Sequence, residues 1–254
     1  MKKRGQVTLF IILGILIVAA VILVLYLKGQ LFFGPVTPDN LNTKMIPIKE
    51  HIIKCTQEVS PQFIEKIGLQ GGYLSTPTDT YRMWDNETVS YLCYNIKKQP
   101  TCYNRMLTKA HMEQELQNAL DLGLSQCIDM SKFEGKGYEI FYGPRKTNVE
   151  IGDDKIIVTV KMPITIKKED VSVKEEEFSA NFNYPLGRLY NVAQDIIDID
   201  SQYGEFDQLT YMLMKKGQYI VDKQRPYPDK LYILKTKDNP YIFQFFIEGE
   251  PTWN

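Results

Sequence analysis

Hydrophobic and polar positions divide this chain into segments of different period. The first is an uncharged run, Val7 to Leu27, whose 21 residues have the length and composition expected of a helix crossing a bilayer core of roughly 30 Å. Residues 28–47 mix Gly, Pro, Asn and Asp without a sustained period and read as a linker. From Ile48 the apolar positions Ile52, Cys55, Val59, Phe63 and Ile67 recur every three or four residues, one helical stripe with a kink expected near Ser60-Pro61. Gly68 and Gly71-Gly72 end it. Tyr73 to Thr108 has no clear period and reads as irregular or hairpin-like. A second helix is expected over 109–128, with Met112, Leu116, Leu120, Leu124 and Cys127 on one side.

Beyond Lys132 the period changes to two. Ile156, Val158, Val160, Met162, Ile164 and Ile166 alternate with more polar neighbours, as in a strand with one buried face. Pro163 points to an edge or bulged position. Val171 to Phe182 reads as the partner strand, with a bulge where its inward parity shifts. Pro185 opens a helical stretch, a shorter helix is expected over 206–213, and strand-like runs follow at Lys230–Thr236 and Tyr241–Ile247. The expected fold is α+β: an N-terminal transmembrane helix, then an extracytoplasmic domain with helices and an antiparallel sheet. The expected units are a basic cytoplasmic leader (1–6), the transmembrane helix (7–27), a linker (28–47), a helical disulfide-bearing part (48–130) and a sheet part with helices (131–254).

Charge sets the expected orientation. Lys2, Lys3 and Arg4 precede the apolar run, whereas from Lys28 onward 27 bases face 31 acids. An N-terminus inside the cell and the remainder outside it follow from that asymmetry. The whole chain carries a net charge of -1, so it has no basic field to hold nucleic acid.

The start Lys3-Arg4-Gly5-Gln6-Val7, running directly into the apolar stretch, resembles the class III signal peptide of archaeal type IV pilin-like proteins. The resemblance implies cleavage between Gly5 and Gln6 and the possibility of self-assembly into a filament. More loosely, the rest of the chain resembles uncharacterised archaeal single-pass surface proteins with a Cys-containing outer domain.

Four cysteines, Cys55, Cys93, Cys102 and Cys127, form an even set with no C-x-x-C pair, which favours disulfides over a zinc or redox site. Three pairings are open. Cys55 with Cys127 is preferred because both lie on apolar helical stripes that must pack together, and Cys93 with Cys102 because they close a short hairpin. Asn86-Glu87-Thr88 fits the N-glycosylation acceptor pattern in a stretch expected to be exposed.

No local pattern assigns catalysis, a metal or a cofactor. His51 and His111 have no convergent ligands by spacing. The stretch from Asp198 to Gly204 fails the calcium-loop pattern, with Gly204 at the seventh position and Leu209 where the bidentate Glu belongs. Glu175-Glu176-Glu177 reads as strand charge that discourages edge pairing. Tyr73, Tyr81, Trp84, Tyr91 and Tyr94 are the candidate partner-binding aromatics. The expectation is a surface protein acting in binding, adhesion or assembly, with the lipid bilayer and a protein or glycan as partners. A pilin-like subunit and an anchored enzyme are the alternatives.

Overall fold

A computed structural model describes residues 12–24, 38–77, 79–95, 102–135 and 137–249. Gly5 and Gln6, with the rest of the leader, lie outside the described residues. Of the apolar run, residues 12–24 form a helix, α1, with every residue exposed. At about 1.5 Å per residue it is some 20 Å long, short of the roughly 30 Å hydrocarbon core. Among the described residues no helix is long and apolar enough to cross a membrane. This corrects the expectation of a transmembrane helix over 7–27, whose two ends lie outside the described residues.

The α+β part follows in the order α2 (Pro38–Leu69), β1 (Tyr81–Trp84), β2 (Glu87–Tyr94), β3 (Tyr103–Asn104), α3 (Lys109–Cys127), a short 3-10 turn (Met130–Phe133), β4 (Glu139–Tyr142) and β5 (Lys146–Ile151). It continues with β6 (Ile156–Lys168), β7 (Val171–Phe182), α4 (Leu186–Tyr203), α5 (Gln208–Met214), β8 (Tyr219–Gln224), β9 (Lys230–Thr236) and β10 (Asn239–Ile247).

Helix α2 is longer than its sequence signals suggest. It takes in residues 38–47, read above as linker, and it contains both Pro47 and Pro61. A proline inside a helix costs about 3 kcal/mol, yet the buried stripe already starts at Leu41 and Met45 and continues through Ile48, Ile52, Ile64 and Ile67. Each such side chain contributes about 1.5–3 kcal/mol on burial, so tertiary packing outweighs the two breakers. The helix packs against α3 on one side and against β6, β7 and β10 on the other.

Two sheets flank it. The smaller is built on β6, which pairs with β7 along one side and with β5 and β4 in succession along the other. Pro163 therefore sits in a central strand, and a bulge accommodates it. Met162 and Pro163 stand opposite the single residue Glu176, and this is where the inward parity of β7 changes. Strand β7 is an edge, and Glu175 on it pairs with Lys49 of α2 at 2.6 Å.

The larger sheet has the order β1-β2-β10-β9-β8, with β3 on β2. Its β2–β10 pairing is parallel and joins parts of the chain some 150 residues apart. Tyr232, Leu234, Phe243 and Phe245 turn one face into the main core beneath α2 and α4. The opposite face carries a second small cluster, Val89, Leu231 and Phe246, flanked by Trp84, Tyr91 and Ile233.

Two disulfides tie these elements. Cys55 joins Cys127, binding α2 to the last residue of α3 at a Cα separation of 5.8 Å. Cys93 joins Cys102 at 5.3 Å, beside the short β2–β3 pairing.

Candidate binding groove

The outer face of the larger sheet, away from the main core, supplies the candidate site. Strands β9 and β10 carry apolar side chains on both faces, so Ile233 and Ile242 point outward while their neighbours fill the core. Ile220 on the edge strand β8 is 47% exposed. With Trp84 they line a groove of about 730 Å³, to which five of the six strands of the sheet contribute. Gln244, 5% exposed, lines the same groove and donates from Nε2 to the Leu69 carbonyl at 3.0 Å.

A second hollow of about 670 Å³ lies between the end of α2, the end of β7 and the start of β10. Asn181, Asn183, Asn239 and Glu65 surround it, with Tyr184 and Pro240 among its apolar lining. The Tyr184 hydroxyl donates to Glu65 Oε1 at 3.1 Å, and Asn239 Nδ2 donates to the Asn183 carbonyl at 2.9 Å. Burial first, then the bond to Glu65, raises the Tyr184 hydroxyl above its ordinary pKa, so it stays a neutral donor. The two hollows adjoin as two lobes at the end of α2, with Leu69 and Ile242 as the wall they share.

The β1–β2 hairpin forms one rim. Its two-residue turn, Asp85-Asn86, has φ values of 49° and 67°, the left-handed pair that a tight hairpin of native twist demands and that Asp and Asn tolerate. Asn86 is exposed at its tip, and Asp85 and Glu87 line the groove on either side of it. The Thr88 hydroxyl meets Gln70 Nε2 at 2.8 Å.

A buried polar node anchors the hairpin. Asp229, 5% exposed, accepts at Oδ2 from Arg82 at 2.6 Å and from the Tyr91 hydroxyl at 2.7 Å, and at Oδ1 from the Gly249 amide at 3.1 Å. Burial, followed by the bond to Asp229, drives the Tyr91 pKa far upward.

Of the five aromatics singled out from sequence, Trp84, Tyr91 and Tyr94 gather around Phe246. Trp84 and Tyr91 lie 6.4 and 5.3 Å from its ring, and Tyr94 lies 6.0 Å from Tyr91. Only Trp84 reaches the groove lining. Tyr81 is exposed on β1, and Tyr73 is turned aside, its hydroxyl donating to the Arg105 carbonyl at 2.6 Å.

The histidines hold helix ends. His111 is at the start of α3, its amide donating to Thr108 Oγ1, and His51 Nε2 accepts from the Asp129 amide at 3.4 Å. Gly204, with φ 75°, ends α4 in the left-handed conformation. Asp200 turns inward to accept from Lys230 at 2.7 Å and from the Tyr232 hydroxyl at 2.8 Å. Among the described residues no group of three or more His, Cys, Asp or Glu is placed to hold a metal.

Sequence reasoning missed Glu65, Tyr184, Ile220, Ile233 and Ile242. The readable signal for Ile233 and Ile242 was the almost unbroken apolar character of β9 and β10, which implies cover on both faces. Nothing local marked Glu65 or Tyr184, because their meeting joins α2 to a segment 119 positions on. Comparison with family models, with curated proteins and with solved structures returned no match.

Proposed function

We propose that this chain is an extracytoplasmic binding protein, acting in recognition or adhesion, whose two-lobed trough takes an extended ligand. The observation that carries the reading is the trough itself: Trp84, Ile220, Ile233 and Ile242 form an apolar floor open to solvent across the larger sheet. Apolar surface of this kind, rimmed by polar side chains, marks binding sites. Two disulfides that pair all four cysteines support a position outside the reducing cytoplasm.

The test has two parts. Protein taken from its native cells and treated with a thiol reagent without reductant is expected to stay unlabelled; labelling of all four cysteines overturns the compartment. Immobilised protein is then screened against peptide and oligosaccharide arrays, alongside the Ile220→Glu variant. Because Ile220 is about half exposed on an edge strand, the substitution spares the fold, and loss of the wild-type signal locates binding in the trough. An unchanged signal places binding elsewhere.

A further inference from the structure

The charges along the trough select among ligands. Glu65, Asp85, Glu87 and Asp222 line it, against one base, Lys235. Among the described residues none of these five enters an ion pair, although thirteen ion pairs are present elsewhere. Glu65 accepts from Tyr184 and Asp222 from Gln224, both neutral donors. The acids of the trough thus keep their negative potential for whatever enters, over a floor that rewards aliphatic contact.

Dimensions add a second constraint. Four steps along the order β1-β2-β10-β9-β8, at about 4.8 Å each, make the sheet about 19 Å across, the length of about six extended residues. Glu87 on β2 and Asp222 on β8 project from the same face of the sheet as Trp84 and Ile233, so a chain lying across that face reaches both the acids and the isoleucines.

We infer that the trough binds a basic, aliphatic peptide segment in extended form, its Lys or Arg side chains meeting Glu87, Asp222 and Glu65 while its aliphatic side chains rest on Ile220, Ile233 and Ile242. This deepens the binding reading above and rests on it. A neutral glycan fits the amide-lined lobe by hydrogen bonding but leaves the unpaired acids of the other lobe without a partner, so the charge pattern favours the peptide.

The test uses the intact chain and three fluorescent probes: a hexapeptide of alternating Lys and Val, the same peptide with Glu for Lys, and a neutral hexasaccharide. Anisotropy is expected to report binding of the Lys peptide only, weakening as salt is raised toward physiological strength. The double variant Glu87→Gln, Asp222→Asn should weaken it about fivefold, as expected for two solvated charge contacts. Lys235→Gln should tighten it. Since none of these residues is ion-paired in the fold, a change of opposite sign in the two variants reads charge rather than folding. Binding of the hexasaccharide or the Glu peptide, lost in Ile220→Glu, overturns the peptide assignment and leaves the trough as the site. Binding of the Lys peptide that ignores all three rim substitutions overturns the assignment as well. No response from any probe counts against both readings.

Discussion

Gly68, in the last turn of α2, lies against the backbone of Ile242 on β10. A Cβ at Gly68 would overlap the Ile242 carbonyl oxygen and stand 2.6 Å from the Tyr241 hydroxyl, which itself donates to the Ile64 carbonyl. The helix can approach the sheet this closely only without a side chain there, and the approach brings Leu69 and Ile242 into the wall shared by both lobes. Gly68→Ala is therefore expected to destabilise the fold by about 1–3 kcal/mol, the usual cost of overpacking. Urea unfolding followed by circular dichroism would show a lower midpoint at unchanged slope; a midpoint equal to wild type contradicts the close approach.

The helix pair α2–α3 has a similar feature beside its disulfide. Gly123 would place a Cβ 2.8 Å from Val59 Cγ1 and 3.0 Å from Phe63 Cε2, one turn before Cys127. With the helices already in contact, the Cys55–Cys127 bridge acts chiefly on the unfolded chain. Replacing both cysteines with Ser should cost about 4 kcal/mol for the long loop, and the same change at Cys93 and Cys102 about 3 kcal/mol for the short one. Equal destabilisation, or none, in paired urea titrations would count against this view.

Asp229 is the buried end of the node that holds the hairpin to the C-terminal part of the chain. Asp229→Ala leaves the Arg82 guanidinium and the Tyr91 hydroxyl without their acceptor, and breaking a buried pair from one side costs about 3–5 kcal/mol. Tyr91→Phe removes one bond and should cost about 1 kcal/mol. Thermal unfolding ranks the two, and the reverse order would show that Asp229 does not anchor the hairpin.

His51 gives the fold a pH response. Burial, followed by the nearby Lys132 charge, holds its pKa below 6.5, with Asp129 opposing. Neutral Nε2 accepts from the Asp129 amide, and the ring meets Phe133 at 5.5 Å. A group whose folded pKa is depressed below its unfolded value binds more protons when unfolded in that interval. Its contribution is complete above about pH 6.5, the unfolded value, and is lost as pH falls through the folded pKa. His51→Gln should flatten stability against pH in this window. An NMR titration of the ring with a midpoint at or above 6.5 contradicts the assignment.

Much of the secondary structure was legible because it is local. The stripe Met112, Leu116, Leu120, Leu124 gave α3, which runs from Lys109 to Cys127, and the period-two alternation from Ile156 gave β6, bulge included. What escaped was set at long range. The α2 start at Pro38 depends on Leu41 and Met45 meeting a core that the linker-like composition of 28–47 does not announce. Strand β8 is short and carries the exposed Ile220 at its second position, and β4 and β5 are short strands whose partner, β6, lies further along the chain. The parallel pairing of β2 with β10 has no local signature, yet it brings the β1–β2 hairpin beside Ile242 and so creates the trough. Asp229, whose bonds span 138 and 147 positions, was equally silent in sequence. The apolar run at the N-terminus gave the opposite error, suggesting a span that the described helix over 12–24 is too short to make.

Backbone-amide NMR of the isotopically labelled chain, titrated with the Lys and Val hexapeptide, tests the account most directly. Saturable shifts should concentrate at Trp84, Glu87, Ile220, Asp222, Ile233 and Ile242, on five of the six strands of the larger sheet, with β4 to β6 unmoved. Shifts confined to the smaller sheet, or no saturable shift at the outer isoleucines, would contradict it.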